Sequence, residues 1–149
     1  RLGHLTRGLY ASPHYLAAAG TPQHPDELNQ HAWIDLLGSA SDGLLLTHQE
    51  HGQYAFNPPR SRLRVDLTAL HIDAIARSQG IGLLSHWLTA KREQHHPGEL
   101  VNCLPGWEPV PLPITLLYAY GHQSRRTHAL LEFLRSQVPA PWRTSAAAV

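Results

Sequence analysis

The sequence has 149 residues, of which 42% are hydrophobic and 15% charged, with a formal net charge of +1 at pH 7. That length and apolar content allow one domain with a real core, and so balanced a charge excludes a strongly basic nucleic-acid-binding protein. No apolar run approaches the ~20 residues of a membrane span, and the single cysteine, Cys103, cannot form an internal disulfide. We therefore expect a cytoplasmic protein with no membrane partner. The sequence contains no methionine, and we expect it to be a piece of a longer chain.

Short apolar runs alternate with helical patterns along the chain. The runs predict strands over residues 8–11, 32–37, 44–46, 53–56, 62–65, 81–84, 99–104 and 114–118. The other segments predict helices over residues 13–19, 87–94 and 123–138, and one helical turn over residues 26–30. A further helix is predicted to begin at Asp66 or Thr68 and to include residues 70–75. This alternation is typical of an α/β protein with a mostly parallel sheet.

Residues 65–87 carry the clearest pattern: the end of a strand, a helix, a glycine turn, a buried strand and the start of another helix. Asp66 and Thr68 are the two candidates for the helix N-cap. A strand–helix–strand unit places helix N-termini at one edge of a parallel sheet, which is where small ligands bind. Gly80-x-Gly82 lacks the third glycine of a dinucleotide fingerprint and precedes its strand, so we predict no nucleotide site and no cofactor.

Twelve histidines are many for this length and require a metal site to be considered. His48 and His51, and the pair His95-His96, come closest to ligand spacing. No H-E-x-x-H motif, paired cysteines or clustered carboxylates accompany them, so we predict no metal site.

Ser12 and Ser85 each stand between a predicted strand and a predicted helix. Neither lies in the G-x-S-x-G motif of a nucleophilic serine, and no Ser/Asp/His order can be defended from spacing. Their hydroxyls can donate to a ligand beside helix amides, or can cap a helix without any ligand. A small serine hydrolase using one of them remains the alternative from a different functional class.

Several stretches, in order, resemble one protein family. Residues 9–28, L-Y-A-S-P-H-Y-L-A-A-A-G-T-P-Q-H-P-D-E-L, resemble the middle of the effector-binding domain in LysR-type transcriptional regulators. Residues 76–88, A-R-S-Q-G-I-G-L-L-S-H-W-L, resemble that family's G-x-G-I-x-x-L-P-x-W-L run. The closing segments of the family are matched by residues 99–107, E-L-V-N-C-L-P-G-W, residues 113–118, P-I-T-L-L-Y, and residues 126–134, R-x-x-x-L-L-E-F-L. Ser78 and Ser85 depart from the glycine and proline common there, and Leu67 replaces a residue that is often polar.

The resemblance implies a type II periplasmic-binding-protein-like α/β fold, with one Rossmann-like subdomain complete and the C-terminal strand and helix of the other. Residues 1–8 would cross from the first subdomain, 9–98 would form the second, 99–138 would cross back and finish the first, and 139–149 would be a flexible tail.

The resemblance also implies a sensory domain of a transcription regulator that binds a small, anionic effector in a cleft and performs no catalysis. The residues expected to bind the effector are Ser12, Asp66, Leu67, Thr68 and Ser85. DNA would be contacted only through an N-terminal helix-turn-helix domain that is not in this sequence, and the protein would form a homodimer or homotetramer. A cleft made from these residues alone would be open on one side, so we expect weak or no effector binding by this chain. A solute-binding protein for transport shares the fold and is a further alternative.

Overall fold

A computed structural model of the chain describes residues 1–39, 43–118, 121 and 124–143. It forms two compact units: Arg7–Val110 is one, and residues 1–6 with the described residues from 111 onward are the other. We call them the large unit and the small unit. None of the helices among the described residues is long and apolar enough to cross a membrane.

The described residues form strands and helices in close alternation. The strands are β1 (Gly3–Leu5), β2 (Arg7–Ala11), β3 (Ile34–Leu36), β4 (Leu44–His48), β5 (Gly52–Phe56), β6 (Leu63–Val65), β7 (Gly82–Ser85), β8 (Val101–Asn102), β9 (Glu108–Pro109) and β10 (Leu112–Ile114). The α-helices are α1 (Pro13–Ala19), α2 (Thr68–Ala76), α3 (His86–His95) and α4 (Arg125–Ser136), and 3-10 turns cover Pro25–Gln30 and Ala140–Trp142.

The main sheet of the large unit has the strand order β6-β3-β7-β2-β8. Strands β3 and β6 pair in parallel, and β2 pairs antiparallel with both β7 and β8. A parallel bridge between Trp33 and Ile81 joins the two groups, with the Ile34 amide donating to the Ile81 carbonyl at 2.9 Å. Because β3, β6 and β7 run in one direction, their carboxyl ends lie at the same edge of the sheet. We call this the carboxyl edge; β2 runs the other way and begins there.

The prediction of a mostly parallel sheet holds for the strand directions of the main sheet, in which β3, β6, β7 and β8 run one way and β2 alone runs the other way. It does not hold for the hydrogen-bonded pairings. Among the strand pairings of the described residues, only β3 with β6 is parallel, besides the isolated bridge. The strand–helix–strand unit from β6 through α2 to β7 does have parallel strands, as its pattern indicates. The other pairings are antiparallel because β4 and β5 form a hairpin and because β2 enters the sheet against the direction of β7.

Two apolar clusters cover the two faces of the main sheet. Leu9 and Leu83 belong to the cluster that includes buried residues of β4 and β5. Leu84 belongs to the second cluster, together with Ile72 and Ile75 of α2. Because side chains alternate along a strand, neighbours such as Leu83 and Leu84 serve opposite faces.

The small unit contains an antiparallel pair and the last helix. β1 pairs with β10 in the register Gly3 to Ile114, and the 3-10 turn packs so closely that a side chain at Gly3 would meet the Trp142 carbonyl. The helix predicted over residues 123–138 is confirmed as α4 within the described residues; position 123 lies outside them. The strand predicted over residues 114–118 is wrong beyond its first residue, because residues 115–118 pair with no strand among the described residues, and Leu117 is 92% exposed.

Candidate functional site at the carboxyl edge

Ser85 ends β7 and starts α3 at the carboxyl edge. It is the N-cap of that helix, and its Oγ accepts a hydrogen bond from the Leu88 amide at 3.1 Å. This geometry uses one lone pair of the hydroxyl and leaves its proton available to a further acceptor. The positive end of the α3 dipole lies at the same place.

The start of α2 lies at the same edge, after β6. The prediction that Asp66 or Thr68 caps this helix is wrong: the N-cap residue is Leu67, and no side chain makes the capping hydrogen bond. Asp66, Leu67 and Thr68 are all exposed. The orphan amides of the first turn of α2 therefore have no side-chain cap, which leaves them open to an external acceptor. Neighbouring strands lie about 4.8 Å apart, so the ends of β6 and β7, two strands apart, are roughly 10 Å from each other.

Ser12 lies at the opposite edge. It follows the end of β2, about 17 Å from Arg7 at the start of that strand, at ~3.4 Å per residue. Its Oγ accepts from the Tyr15 amide at 3.0 Å and is hydrogen bonded to Ser78 Oγ at 2.7 Å. Ser78 follows the C-cap of α2 and has φ +63°, a conformation that glycine adopts more easily. The structure therefore brings Asp66, Leu67, Thr68 and Ser85 to one edge and does not bring Ser12 there.

A row of hydrogen-bonded side chains that sequence reasoning missed lies at the start of α3. The Tyr10 hydroxyl and His86 Nδ1 are 2.6 Å apart, and His86 Nε2 lies 2.7 Å from Glu108 Oε1. Burial raises the pKa of the Tyr10 hydroxyl, so the hydroxyl keeps its proton and can donate to the imidazole. These contacts tie β2, α3 and β9 together.

Arg7 is a further residue that sequence reasoning missed. It is only 9% exposed and sits opposite Ser85 in the pairing of β2 with β7. Its Nη2 donates to the Val110 carbonyl at 3.4 Å, and its Nε has no partner among the described residues. Burial lowers the pKa of the guanidinium. The available signal was strand alternation, since Arg7, Leu9 and Ala11 share a face and the latter two are apolar.

Histidine rings also gather away from the carboxyl edge. His48 and His51 lie 4.5 Å apart between ring centroids, and both lie against Trp107. A cavity of about 400 Å³ opens beside them and is lined in part by Cys103. His48 Nδ1 accepts from the amides of Glu50 and His51. Within the part of the chain that the structure describes, no three His, Cys, Asp or Glu residues are grouped so as to hold a metal ion.

Comparison with solved structures defines the class of fold. The full-length virulence activator AphB of Vibrio cholerae superimposes with a TM-score of 0.75 at 22% identity, over 93% of this chain and 47% of that chain. The regulatory domain of AphB in Vibrio vulnificus gives a TM-score of 0.73 at 22% identity, over 91% and 66%. The fold is the type II periplasmic-binding-like α/β fold, which confirms the predicted class.

Sequence comparison gives the family. The LysR substrate binding domain model matches residues 1–139, and the chain belongs to this family. The iron-regulated virulence regulatory protein IrgB of Vibrio cholerae serotype O1 is 40% identical over 143 residues, which are 96% of this chain and 48% of that protein. The probable HTH-type transcriptional regulator LtrA of Klebsiella pneumoniae is 32% identical over 142 residues, covering 87% and 42%. The chain thus spans about half the length of these relatives.

Proposed function

We propose that this chain is part of the sensory domain of a cytoplasmic, DNA-binding transcription regulator, and that it binds a small anionic effector at the carboxyl edge of the large unit. The observation that carries the proposal is the placement of two helix N-termini, those of α2 and α3, at one edge of one sheet. DNA would be contacted through a helix-turn-helix domain outside this sequence, and the regulator would act as a homodimer or homotetramer. Membership of the LysR family and relatives named as regulatory proteins support this role.

Backbone amides favour an anion at this edge. The first turn of α2 has no side-chain cap, so its amides can donate to a carboxylate without the carboxylate displacing a protein acceptor. Ser85 adds a hydroxyl proton at the start of α3. Asp66 is the one negative residue proposed for the site, and its exposure allows it to turn toward solvent or toward a donor group of the effector.

Catalysis is not part of the proposal. The hydrogen bonds of Ser12 run to Ser78 and the Tyr15 amide, and Ser85 Oγ accepts from the Leu88 amide. Neither arrangement presents a general base to the hydroxyl. We expect no turnover of generic ester substrates by the chain, and turnover that Ser85→Ala or Ser12→Ala abolishes would refute the proposed role.

The chain supplies a matched pair of variants for testing the binding edge. Ser12 and Ser85 are both N-cap serines that accept from the amide three residues on, so alanine at either position removes a cap worth about 1 kcal/mol. Only Ser85 lies at the carboxyl edge.

The experiment is a thermal-shift screen of small mono- and dicarboxylates on the wild-type chain and on both variants. A carboxylate present at 100 times its dissociation constant stabilises the folded chain by about 2.7 kcal/mol. We expect a carboxylate-dependent stabilisation that Ser85→Ala weakens and Ser12→Ala leaves unchanged. Equal weakening by the two variants, or no stabilisation by any carboxylate, would contradict the proposal.

A further inference from the structure

Arg7 is a buried cation without a buried counter-ion. Its side chain is 9% exposed, and no carboxylate of residues 1–39, 43–118, 121 or 124–143 lies within 4.0 Å of its guanidinium. The contact with the Val110 carbonyl is long, at 3.4 Å, and Nε donates to nothing described. Burying a charge in this way is costly unless a partner completes it. The folded large unit by itself does not supply that partner.

The position of Arg7 in the sheet directs it to the carboxyl edge. Arg7 is the first residue of β2 and is paired with Ser85, the last residue of β7. Directly opposed residues on antiparallel strands have Cβ atoms about 5 Å apart and project to the same face. The next pair on that face, Leu9 with Leu83, is buried in the first apolar cluster. Arg7 and Ser85 are therefore neighbours at the carboxyl edge of that face, next to the last apolar pair of the cluster.

The surroundings of this pair offer donors rather than acceptors. The Ser85 hydroxyl can donate, and the first turn of α3 begins immediately after it. The carboxylate of Glu108, on β9, lies 2.7 Å from His86 Nε2. An incoming oxyanion would thus meet a guanidinium, a hydroxyl and the positive end of a helix dipole.

We infer that Arg7 is the charged anchor of an oxyanion site completed by the Ser85 hydroxyl and the first turn of α3, and that in an effector the group held there is a carboxylate. This inference rests on the proposed function and makes it more specific. It proposes that the effector's carboxylate binds the guanidinium of Arg7, at the start of β2, in addition to backbone amides. Guanidinium and carboxylate form paired, charge-assisted hydrogen bonds that a lysine would reproduce only in part.

The first test measures binding with sodium sulfate and sodium malonate as probes, each against sodium chloride at equal ionic strength. Amide signals of the ¹⁵N-labelled chain are followed for wild type, Arg7→Gln, Arg7→Lys and the control Arg77→Gln. Arg77 is exposed at the C-cap of α2, at the other end of that helix. We expect saturable shifts at residues 85–88 in wild type and Arg77→Gln, at least tenfold weaker binding in Arg7→Gln, and intermediate binding in Arg7→Lys.

The second test separates a binding role from a structural one. Replacing an unpaired buried charge by an apolar side chain of similar length removes a cost, so Arg7→Met should unfold at an equal or higher urea concentration than wild type. A clearly lower midpoint would show that Arg7 holds the fold and would overturn the inference. Saturable binding of either probe that is unchanged in Arg7→Gln would overturn it as well, as would no saturable binding to wild type. If sulfate binding depends on Arg7 but no carboxylate binds, the oxyanion site stands and the proposed effector function fails.

Discussion

His71 makes the stability of the large unit depend on pH. It lies on α2, is only 1% exposed, and its Nε2–H donates to the Ile34 carbonyl at 3.0 Å. Its Nδ1 has no partner among the described residues, so a proton there would be a buried donor without an acceptor. Burial lowers the pKa of this imidazole from its ordinary value of 6.5. The folded chain consequently keeps the ring neutral at a pH where the unfolded chain has already protonated it.

The direction and limit of the effect follow from proton linkage. As the pH falls, the unfolded chain protonates His71 at a higher pH than the folded chain does. The contribution of the neutral His71 to the free energy of unfolding is therefore fully present above pH 6.5 and is lost as the pH falls from there toward the folded-state pKa. One proton corresponds to about 1.4 kcal/mol per pH unit. Between pH 7.5 and pH 5.5, a ring that stays neutral in the folded state would remove up to about 1.4 kcal/mol from the free energy of unfolding.

The perturbation is His71→Gln, which keeps a donor for the Ile34 carbonyl and removes the titration. Urea unfolding is followed by tryptophan fluorescence, since three of the four tryptophans lie in the large unit. We expect the wild type to lose more unfolding free energy than His71→Gln between pH 7.5 and 5.5. The exposed His14→Gln serves as control and should retain the wild-type loss. Equal losses in wild type and His71→Gln would refute the reasoning.

Three further outcomes are expected. Burial raises the pKa of the Cys103 thiol to about 12, so a disulfide reagent at pH 8 should leave the native chain unmodified and label it fully in urea. Gly80→Ala should lower the free energy of unfolding by at least about 2 kcal/mol, because Gly80 has φ +152° and a side chain there would meet the Ala32 carbonyl. Arg92 is ion paired at 2.6 Å and lowers the pKa of Glu99, so Arg92→Gln should raise that pKa and reduce stability by about 1 kcal/mol.

Each of these outcomes has a control and a contrary result. Rapid labelling of native Cys103 would contradict the burial argument. Gly98→Ala is the control for Gly80→Ala, because Gly98 also has a positive φ but has open space around it. It should lower the free energy of unfolding by about 1 kcal/mol at most. An equal loss in the two variants would show that the close approach of the Ala32 carbonyl does not cause the effect at Gly80. Lys91→Gln, next to Arg92 and exposed, should leave the Glu99 titration unchanged, and 1 M salt should shrink the effect of Arg92→Gln.

The elements of residues 65–87 were predictable from sequence because their signals are local. Gly80 lies between the end of α2 and the start of β7, and the apolar run from Ile81 to Leu84 is short. The strand over residues 114–118 was mispredicted because apolar composition cannot show whether a pairing strand is present. The reversed direction of β2 was not predicted for a related reason: a pairing such as Arg7 with Ser85 joins positions far apart in the chain, and local periodicity carries no information about it.

The candidate site was predictable only in part. Ser85 and the start of α2 follow from the rule that ligands meet helix N-termini at the carboxyl ends of parallel strands. Ser12 looks identical to Ser85 in sequence, since each follows a strand and opens a helix, yet β2 runs against β7 and carries Ser12 to the other edge. Arg7 was missed because a charge at the start of a strand is ordinarily solvated, and only the tertiary structure buries it.

The two ends of the large unit are neighbours, and this sets an order of folding. β1 pairs with β10 although roughly a hundred residues separate them along the chain, and closing so long a loop in an unfolded chain costs about 4 kcal/mol of entropy. β1 and β10 form only three residue pairs, and a two-stranded pair of this length does not by itself offset the entropy of closing the loop. Once the large unit has folded, its first and last residues, Arg7 and Val110, lie beside each other, so the segments that lead to β1 and β10 leave it at neighbouring points. We therefore expect the pairing of β1 with β10 to form after the large unit, across a loop that is already closed.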